Sequence, residues 1–159
     1  AIIFDVANHP FFEKVLSPTQ LKKDVANDIV RQTLMLINTT DDNDFTSFRA
    51  KDIDTFVEWY NEHVDGKDII ILKSALTFLD EKFEEKLNLK STSLPMMLYT
   101  AYTCVKNEKN FDKFVNIVQA FVNSYGDNME YVQYCTSGTS SAQSVQGRFN
   151  YWKNLCKGL

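Results

Sequence analysis

The sequence predicts an all-α fold, a single bundle of about seven or eight helices that forms one domain over residues 1–159. Three observations lead to this prediction. Apolar residues recur at three- and four-residue spacing from Ser17 to Leu87 and again from Leu94 to Tyr125. The chain has only 5 Gly and 3 Pro, which is few for a fold with many tight turns. Hydrophobic residues make up 44% of the chain, enough to build a core at this length.

The first predicted elements lie on either side of Pro10. The stretch IIFDVANHPFFEKVL is predicted to be helical in pieces, because proline breaks a helix from inside. A longer helix is then expected from Ser17 to Asn38. Ser17 is its expected N-cap, Pro18 suits the first turn, and Gln20 is placed to complete a capping box. The apolar face of this helix is formed by Leu21, Val25, Ile29 and Leu36.

Two more helices are predicted after the polar loop TTDDNDF. The first covers AKDIDTFVEWYNEHV, and Gly66 is expected to end it. The second covers KDIIILKSALTFLDEKFEEKL; its run DIIIL resembles a strand, but the helical spacing continues beyond that run and favours a helix. The expected core positions of the two helices are Ile53, Phe56, Val57 and Tyr60, then Leu72, Leu76, Leu79, Phe83 and Leu87.

The last third of the chain predicts two long helices, a short helix or turn at NMEYVQYC, and a final helix. Ser93 is the expected cap of the first long helix, and Asn110 that of the second, which Gly126 should end. The final helix covers SAQSVQGRFNYWKNLCKG. The expected core positions are Phe114, Val118, Phe121 and Val122, followed by Val145, Phe149, Trp152 and Cys156.

The net charge of −4 is unevenly distributed along the chain. Residues 1–89 contain 10 Lys and Arg against 17 Asp and Glu, whereas residues 90–159 contain 7 against 4, which gives −7 and +3. A dedicated nucleic-acid-binding protein usually has a stronger basic bias. The basic C-terminal half is still compatible with a weaker, salt-sensitive contact with DNA.

Three widely spaced cysteines, Cys104, Cys135 and Cys156, form neither a disulfide framework nor a zinc motif, and they favour the reducing cytoplasm. No apolar run approaches the roughly 18 to 20 residues that span a membrane, so no membrane partner is expected. The opening segment lacks the basic start of a signal peptide. The chain begins with Ala1 instead of Met, and we expect it to be a piece of a longer protein.

No motif for metal, cofactor or catalytic chemistry stands out. The run Asp41 to Asp44 suggests calcium, but both possible EF-hand frames lack the required Gly and Glu, so a solvated loop is the better interpretation. His9 and His63 stand alone without a second metal ligand. The carboxylates of LDEKFEEKL alternate with lysines as on a solvated helix face. We therefore expect no cofactor, no metal and no enzyme activity from this chain.

The segment YCTSGTSS, before the final helix, has two interpretations. It lacks the spacing and the lysine of a Walker motif. An ordered turn is favoured, in which Ser140 or Ser141 caps the helix and Gly138 provides an unusual backbone angle. The alternative is an anion or DNA contact at the free N–H groups of the helix start. Its candidate residues are Ser137, Gly138, Thr139, Arg148 and Lys153.

Three segments of the chain resemble a known family when taken together. The first part of the similarity covers NHPFFEKVLS and DIVRQTLMLI, followed by FTSFRAKDIDTFV. The family is that of GmrSD-type, ParB/sulfiredoxin-like bacterial proteins, and the similarity is to the helical region behind their catalytic domain. YVQYCTSGTSSAQSVQGRFNYW resembles the recurring end of that region, where an aromatic-Cys-Ser-Gly-Thr turn precedes a helix with a Val and an Arg. The matching residues here are Tyr134, Cys135, Ser137, Gly138, Thr139, Val145 and Arg148.

The resemblance implies a helical accessory domain and not the active part. In that family a DGQQR motif and an HNH-type cluster are associated with nucleotide-dependent and nuclease activity in phage defence, and this chain has neither. The first hypothesis is therefore a non-catalytic domain of a bacterial defence protein that restricts modified DNA. It would position neighbouring domains or contact DNA or a protein partner. The alternative is a free-standing helical interaction protein of phage or plasmid origin, and an enzyme with an unrecognised site ranks last.

Overall fold

Ten α-helices and one short 3-10 turn make up the computed structural model, which describes residues 1–159 and has no β-strand. The all-α prediction is confirmed, and the helix count matches the predicted seven or eight once the one-turn pieces are set aside. None of the helices is both long enough and apolar enough to cross a membrane. The helices are α1 (Ile2–Ala7), α2 (Phe12–Val15), α3 (Pro18–Lys22), α4 (Val25–Ile37), α5 (Ala50–Tyr60), α6 (Gly66–Lys82), α7 (Leu94–Lys106), α8 (Phe111–Ser124), α9 (Met129–Val132) and α10 (Ala142–Leu155).

Helix α7 is the central element of the bundle. It packs most extensively against α4 and α6, and it also contacts α8 and α10. Its sequence LPMMLYTAYTCVK has no charge before its last residue, so it can be buried on nearly all sides. One continuous core of 37 buried hydrophobic residues surrounds it.

The predicted helix from Ser17 to Asn38 is two helices, α3 and α4, so the single-helix prediction is wrong. Ser17 and Gln20 form the expected capping box, with both hydrogen bonds present. The break lies at Asp24, whose φ of 59° is left-handed, a conformation that Asp tolerates better than most residues. Helix α3 has no fully buried residue, and α4 carries the core face.

Helix α6 ends at Lys82, earlier than its apolar spacing predicts. Phe83 is extended, and Phe83, Leu87 and Leu89 are buried from an irregular segment instead of a helix. Lys14 explains this end: its Nζ donates to the carbonyls of Asp80 at 2.6 Å and Phe83 at 2.7 Å and pairs with the Asp80 carboxylate at 2.9 Å. A lysine at a helix C-terminus satisfies carbonyls that have no partner within the helix.

The predicted end of α5 and the predicted role of Gly66 are also corrected. Helix α5 ends at Tyr60, and Gly66 begins α6 instead of ending α5, because the Asp65 side chain accepts the Lys67 N–H and caps the new helix. Ser93 precedes α7 as predicted, but its hydroxyl makes no cap bond and is used elsewhere. Asn110 caps α8 as predicted, and α8 tightens into the 3-10 turn that contains Gly126.

The aromatic core positions predicted on α8 and α10 are confirmed. Phe114, Phe121, Phe149 and Trp152 are all buried, and the Phe121 and Trp152 rings lie 4.5 Å apart between centroids. The one-turn helix α9 adds Tyr131 to the same cluster, 5.0 Å from Phe121. This packing fixes α10 and the turn before it in place.

Candidate functional site

The turn before α10, residues 136–141, is ordered as the sequence predicts. Gly138 has a φ of +57°, a left-handed value that glycine adopts without strain. Ser141 is the N-cap: its Oγ accepts the Ser144 N–H at 3.2 Å. The Phe48 N–H donates to the Ser140 carbonyl at 2.9 Å and attaches the turn to the loop that follows α4.

Arg148, predicted as a possible anion or DNA contact, is buried. It is 2% exposed, and its guanidinium donates to two backbone carbonyls, from Nη1 to Tyr134 at 2.7 Å and from Nη2 to Thr139 at 2.9 Å. No carboxylate is paired with it, and its Nε has no hydrogen-bond partner. Burial lowers the pKa of Arg148, although a guanidinium stays protonated in proteins.

The bonds of Arg148 show what this residue does. Its two terminal nitrogens join the end of the α9 segment to the turn, and its own backbone lies two turns into α10. The guanidinium therefore already donates to carbonyl oxygens. A phosphate could bind it only by replacing these carbonyl oxygens as acceptors. Arg148 is an internal clamp of the turn.

The sequence-predicted candidates do not form one site. Thr139 and Arg148 are joined by a hydrogen bond, and Ser137 and Gly138 lie exposed beside them. Lys153 lies twelve residues after Ser141 on the same helix, which separates the two by about 18 Å along the axis. Its ammonium lies over the Phe149 ring, 4.1 Å from the centroid. Lys153 therefore belongs to the opposite end of α10.

Gly147 allows a close approach that the sequence did not reveal. A Cβ at this position would lie 2.5 Å from Cδ1 and Cε1 of the Tyr134 ring, so the ring rests directly on the helix backbone. Tyr134 also provides one of the two carbonyls that Arg148 holds. The ring and the clamp together fix the segment between α9 and α10.

We expect Gly147→Ala to destabilise the fold by about 1–3 kcal/mol, because the added methyl group must displace the Tyr134 ring. At an open helix position the same change would stabilise, by up to about 1 kcal/mol. Gly66→Ala is the matched control, since nothing lies within 4 Å of a Cβ there. Chemical denaturation of both variants gives the comparison, and a Gly147→Ala protein as stable as the parent would contradict the close approach.

A buried hydrogen-bond chain links α7, α9 and α10. The Trp152 indole N–H donates to the Tyr131 hydroxyl at 3.1 Å, and that hydroxyl shares a 2.6 Å hydrogen bond with the Ser93 hydroxyl. Burial raises the pKa of Tyr131, so the phenol stays neutral. The chain explains why Ser93 does not cap α7, and sequence patterns alone gave no sign of this pairing.

The remaining sequence candidates have structural partners of their own. His9 accepts the Phe11 N–H at Nδ1 and shares a 3.1 Å hydrogen bond with Thr77, and His63 stacks on Trp59 with 4.2 Å between centroids. In the 41–44 loop, Asp44 accepts the Thr46 N–H at 3.0 Å. No group of three or more His, Cys, Asp or Glu side chains is arranged to hold a metal ion.

These features define an all-α bundle in which a clamped turn fixes the last helix. In comparisons with known proteins, no family model matches the chain, and no curated protein or solved structure matches it.

Proposed function

We propose that this chain is a non-catalytic helical accessory domain of a bacterial ParB-like, GmrSD-type protein that restricts modified DNA in phage defence. It acts by contact, holding DNA beside the catalytic domain of the same protein. The observation on which the DNA contact rests is a group of exposed lysines at one end of the bundle. We call this group the lysine end, and it consists of Lys106, Lys109, Lys113, Lys153 and Lys157.

The packing of α7 against α10 explains why these lysines lie together. Thr139 and Ser140, just before α10, line one depression together with Ser91 and Thr92, just before α7. Midway along the two helices the Tyr99 and Phe149 rings are 4.7 Å apart, so the helices run parallel and end at about the same level. The loop after α7 turns back at once, with the Lys109 N–H donating to the Cys104 carbonyl at 2.9 Å. The first turn of α8 follows and adds Lys113.

The charges at the lysine end are available for a partner. None of the five lysines takes part in the four ion pairs of the chain. Of the two carboxylates among them, Asp112 is already paired with Lys82 at 2.7 Å, which leaves Glu108. A cluster of exposed, unpaired lysines attracts a phosphate backbone without reading its sequence.

The placement in a defence protein is supported by the resemblance of YVQYCTSGTSSAQSVQGRFNYW to the end of the helical region in that family. Arg148 gives the matched residues a structural meaning, because it joins Tyr134 to Thr139. We also propose a cytoplasmic location, which three free thiols, Cys104, Cys135 and Cys156, support.

We expect the protein to bind labelled duplex DNA weakly, with an affinity that falls steeply between about 50 and 200 mM salt. Changing Lys109, Lys113 and Lys157 together to Gln should weaken binding about tenfold or more at low salt, because phosphate contacts are lost. The matched control changes Lys22, Lys23 and Lys51 to Gln, which removes the same charge from exposed positions elsewhere. Fluorescence anisotropy measures both.

Equal loss of affinity in both triple variants would show that net charge alone, and not the lysine end, attracts DNA. Absence of binding at low salt would overturn the DNA contact. The same preparations should leave plasmid DNA intact with magnesium or manganese and should not hydrolyse ATP or GTP. Turnover that survives removal of contaminants would overturn the non-catalytic assignment.

A second candidate function is a free-standing protein interaction module of phage or plasmid origin. It is favoured by large apolar side chains that remain exposed, above all Met129 at 73% and Ile70 at 67%. Failure of the DNA experiment would move the assignment to this candidate.

A further inference from the structure

The outward face of α6 carries an apolar stripe that no other part of the chain covers. Ile70 is 67% exposed and Phe78 is 41% exposed, although both lie in a long, well-formed helix of a bundle that buries most of its large apolar residues. Ser74 lies between them, and Lys67 and Glu81 lie at the two ends. We call these five residues the α6 stripe.

The α6 stripe lies in a shallow depression. Ile70, Lys73, Ser74, Thr77 and Phe78 line a volume of about 430 Å³. On one side the depression is bounded by the Lys73–Asp5 ion pair and the hydrogen bond between Thr77 and His9. On the other side, the Phe111 ring lies 5.4 Å from the Phe78 ring. These contacts fill the flanks and leave the centre open to a partner.

The α6 stripe is complementary to itself. Ile70 and Phe78 lie four residues before and after Ser74, and Lys67 and Glu81 lie seven residues before and after it. Offsets of four and seven residues keep side chains on one helix face. If a second α6 lies antiparallel across the first with Ser74 on the two-fold axis, each Ile70 meets a Phe78 and each Lys67 meets a Glu81.

We propose that the α6 stripe is the interface through which two copies of this chain associate, with their α6 helices antiparallel and crossing at Ser74. An interface of this kind is two-fold symmetric, and each contact occurs twice. The small Ser74 side chains allow the two helix axes to approach, while the Phe78 of one copy enters the depression beside Ile70 of the other.

The charges favour a second copy of the chain, with its α6 antiparallel, as the partner that covers the α6 stripe. Lys67 and Glu81 take part in no ion pair within the chain, whereas their neighbours Lys73 and Lys82 are both paired. A parallel arrangement would place Lys67 against Lys67 and Glu81 against Glu81, which repel. The antiparallel arrangement uses both free charges twice and leaves none unpaired. This inference does not depend on the proposed function.

The test is analytical ultracentrifugation of the full chain over a range of concentrations. We expect a concentration-dependent monomer–dimer equilibrium, weak because a single helix pair is a small interface. Lys67→Glu should weaken dimerisation about tenfold, since two attractive pairs become two repulsive ones. Lys67→Glu combined with Glu81→Lys should restore it. Lys51→Glu makes the same change in charge at an exposed position on α5 and should have no effect.

The two-fold axis is tested by cross-linking. Ser74→Cys should give a disulfide-linked dimer under mild oxidation, because each residue 74 faces its own copy. Asn116→Cys, exposed on α8, should not exceed the background of the parent protein with its three native cysteines. A protein that stays monomeric at every concentration overturns the proposal. The proposal is also overturned if Lys67→Glu leaves dimerisation unchanged, or if Lys67→Glu combined with Glu81→Lys fails to restore it.

Discussion

Trp152→Ala is expected to lower the free energy of unfolding by about 3–5 kcal/mol, the cost of removing a large buried aromatic ring. Trp152 is fully buried, and its ring lies 4.5 Å from Phe121 on α8. The substitution also removes the indole N–H from the Tyr131 hydroxyl, so two losses coincide.

Thermal and chemical denaturation measure this effect, and Trp152→Phe separates its two parts. Phe keeps one aromatic ring but removes the hydrogen bond and the atoms of the second indole ring, so the loss should be smaller than for Trp152→Ala, at about 1–3 kcal/mol. An unchanged melting temperature for Trp152→Ala would mean that α10 does not pack as described. Equal losses for both variants would mean that the ring which Phe retains contributes nothing to stability.

Arg148→Met is the second large change, with an expected loss of about 2–4 kcal/mol. Met fills the space of the side chain but leaves the carbonyls of Tyr134 and Thr139 without their donors. Arg148 is a buried charge without a carboxylate partner, and removing such a charge is favourable. This gain offsets part of the cost of the two unpaired carbonyls, so the expected loss does not exceed that of Trp152→Ala. Because the clamp joins the end of the α9 segment to the turn, its loss should also loosen residues 136–141 locally.

Hydrogen exchange measures the local effect, and denaturation measures the global one. Amide protons of the turn should exchange faster in Arg148→Met, while those of α7 should change only with overall stability. Lys153→Met is the matched control, since it removes an exposed cation from the same helix and should change stability little. If Arg148→Met were as stable as Lys153→Met, Arg148 would not act as a clamp.

The sequence predicted well those features that depend on neighbouring residues. The caps at Ser17, Asn110 and Ser141 were found because a capping side chain bonds an N–H two or three residues away. The core faces of α8 and α10 follow from their apolar spacing. The end of α6 was missed because it is set by Lys14, which lies 66 residues from Asp80 in the chain.

The ordered turn that caps α10 was the favoured interpretation of the sequence, but the role of Arg148 in it was not predicted. The turn and its positive φ at Gly138 follow from local chemistry, whereas the burial of Arg148 did not follow from its charge. A signal was nevertheless present, since Arg148 lies three residues after Val145 and four before Trp152, on the buried face of α10. The contact of Gly147 with Tyr134 had no such signal, because it joins segments whose approach only the folded chain defines.

The central position of α7 has a consequence for the order in which the chain folds during synthesis. Its partners α4 and α6 precede it in the chain, whereas α8 and α10 follow it. When α7 leaves the ribosome, part of its apolar surface has no cover until the last helix has also emerged. The nascent chain therefore passes through a stage with an exposed core, when it is most prone to aggregate and most dependent on chaperones.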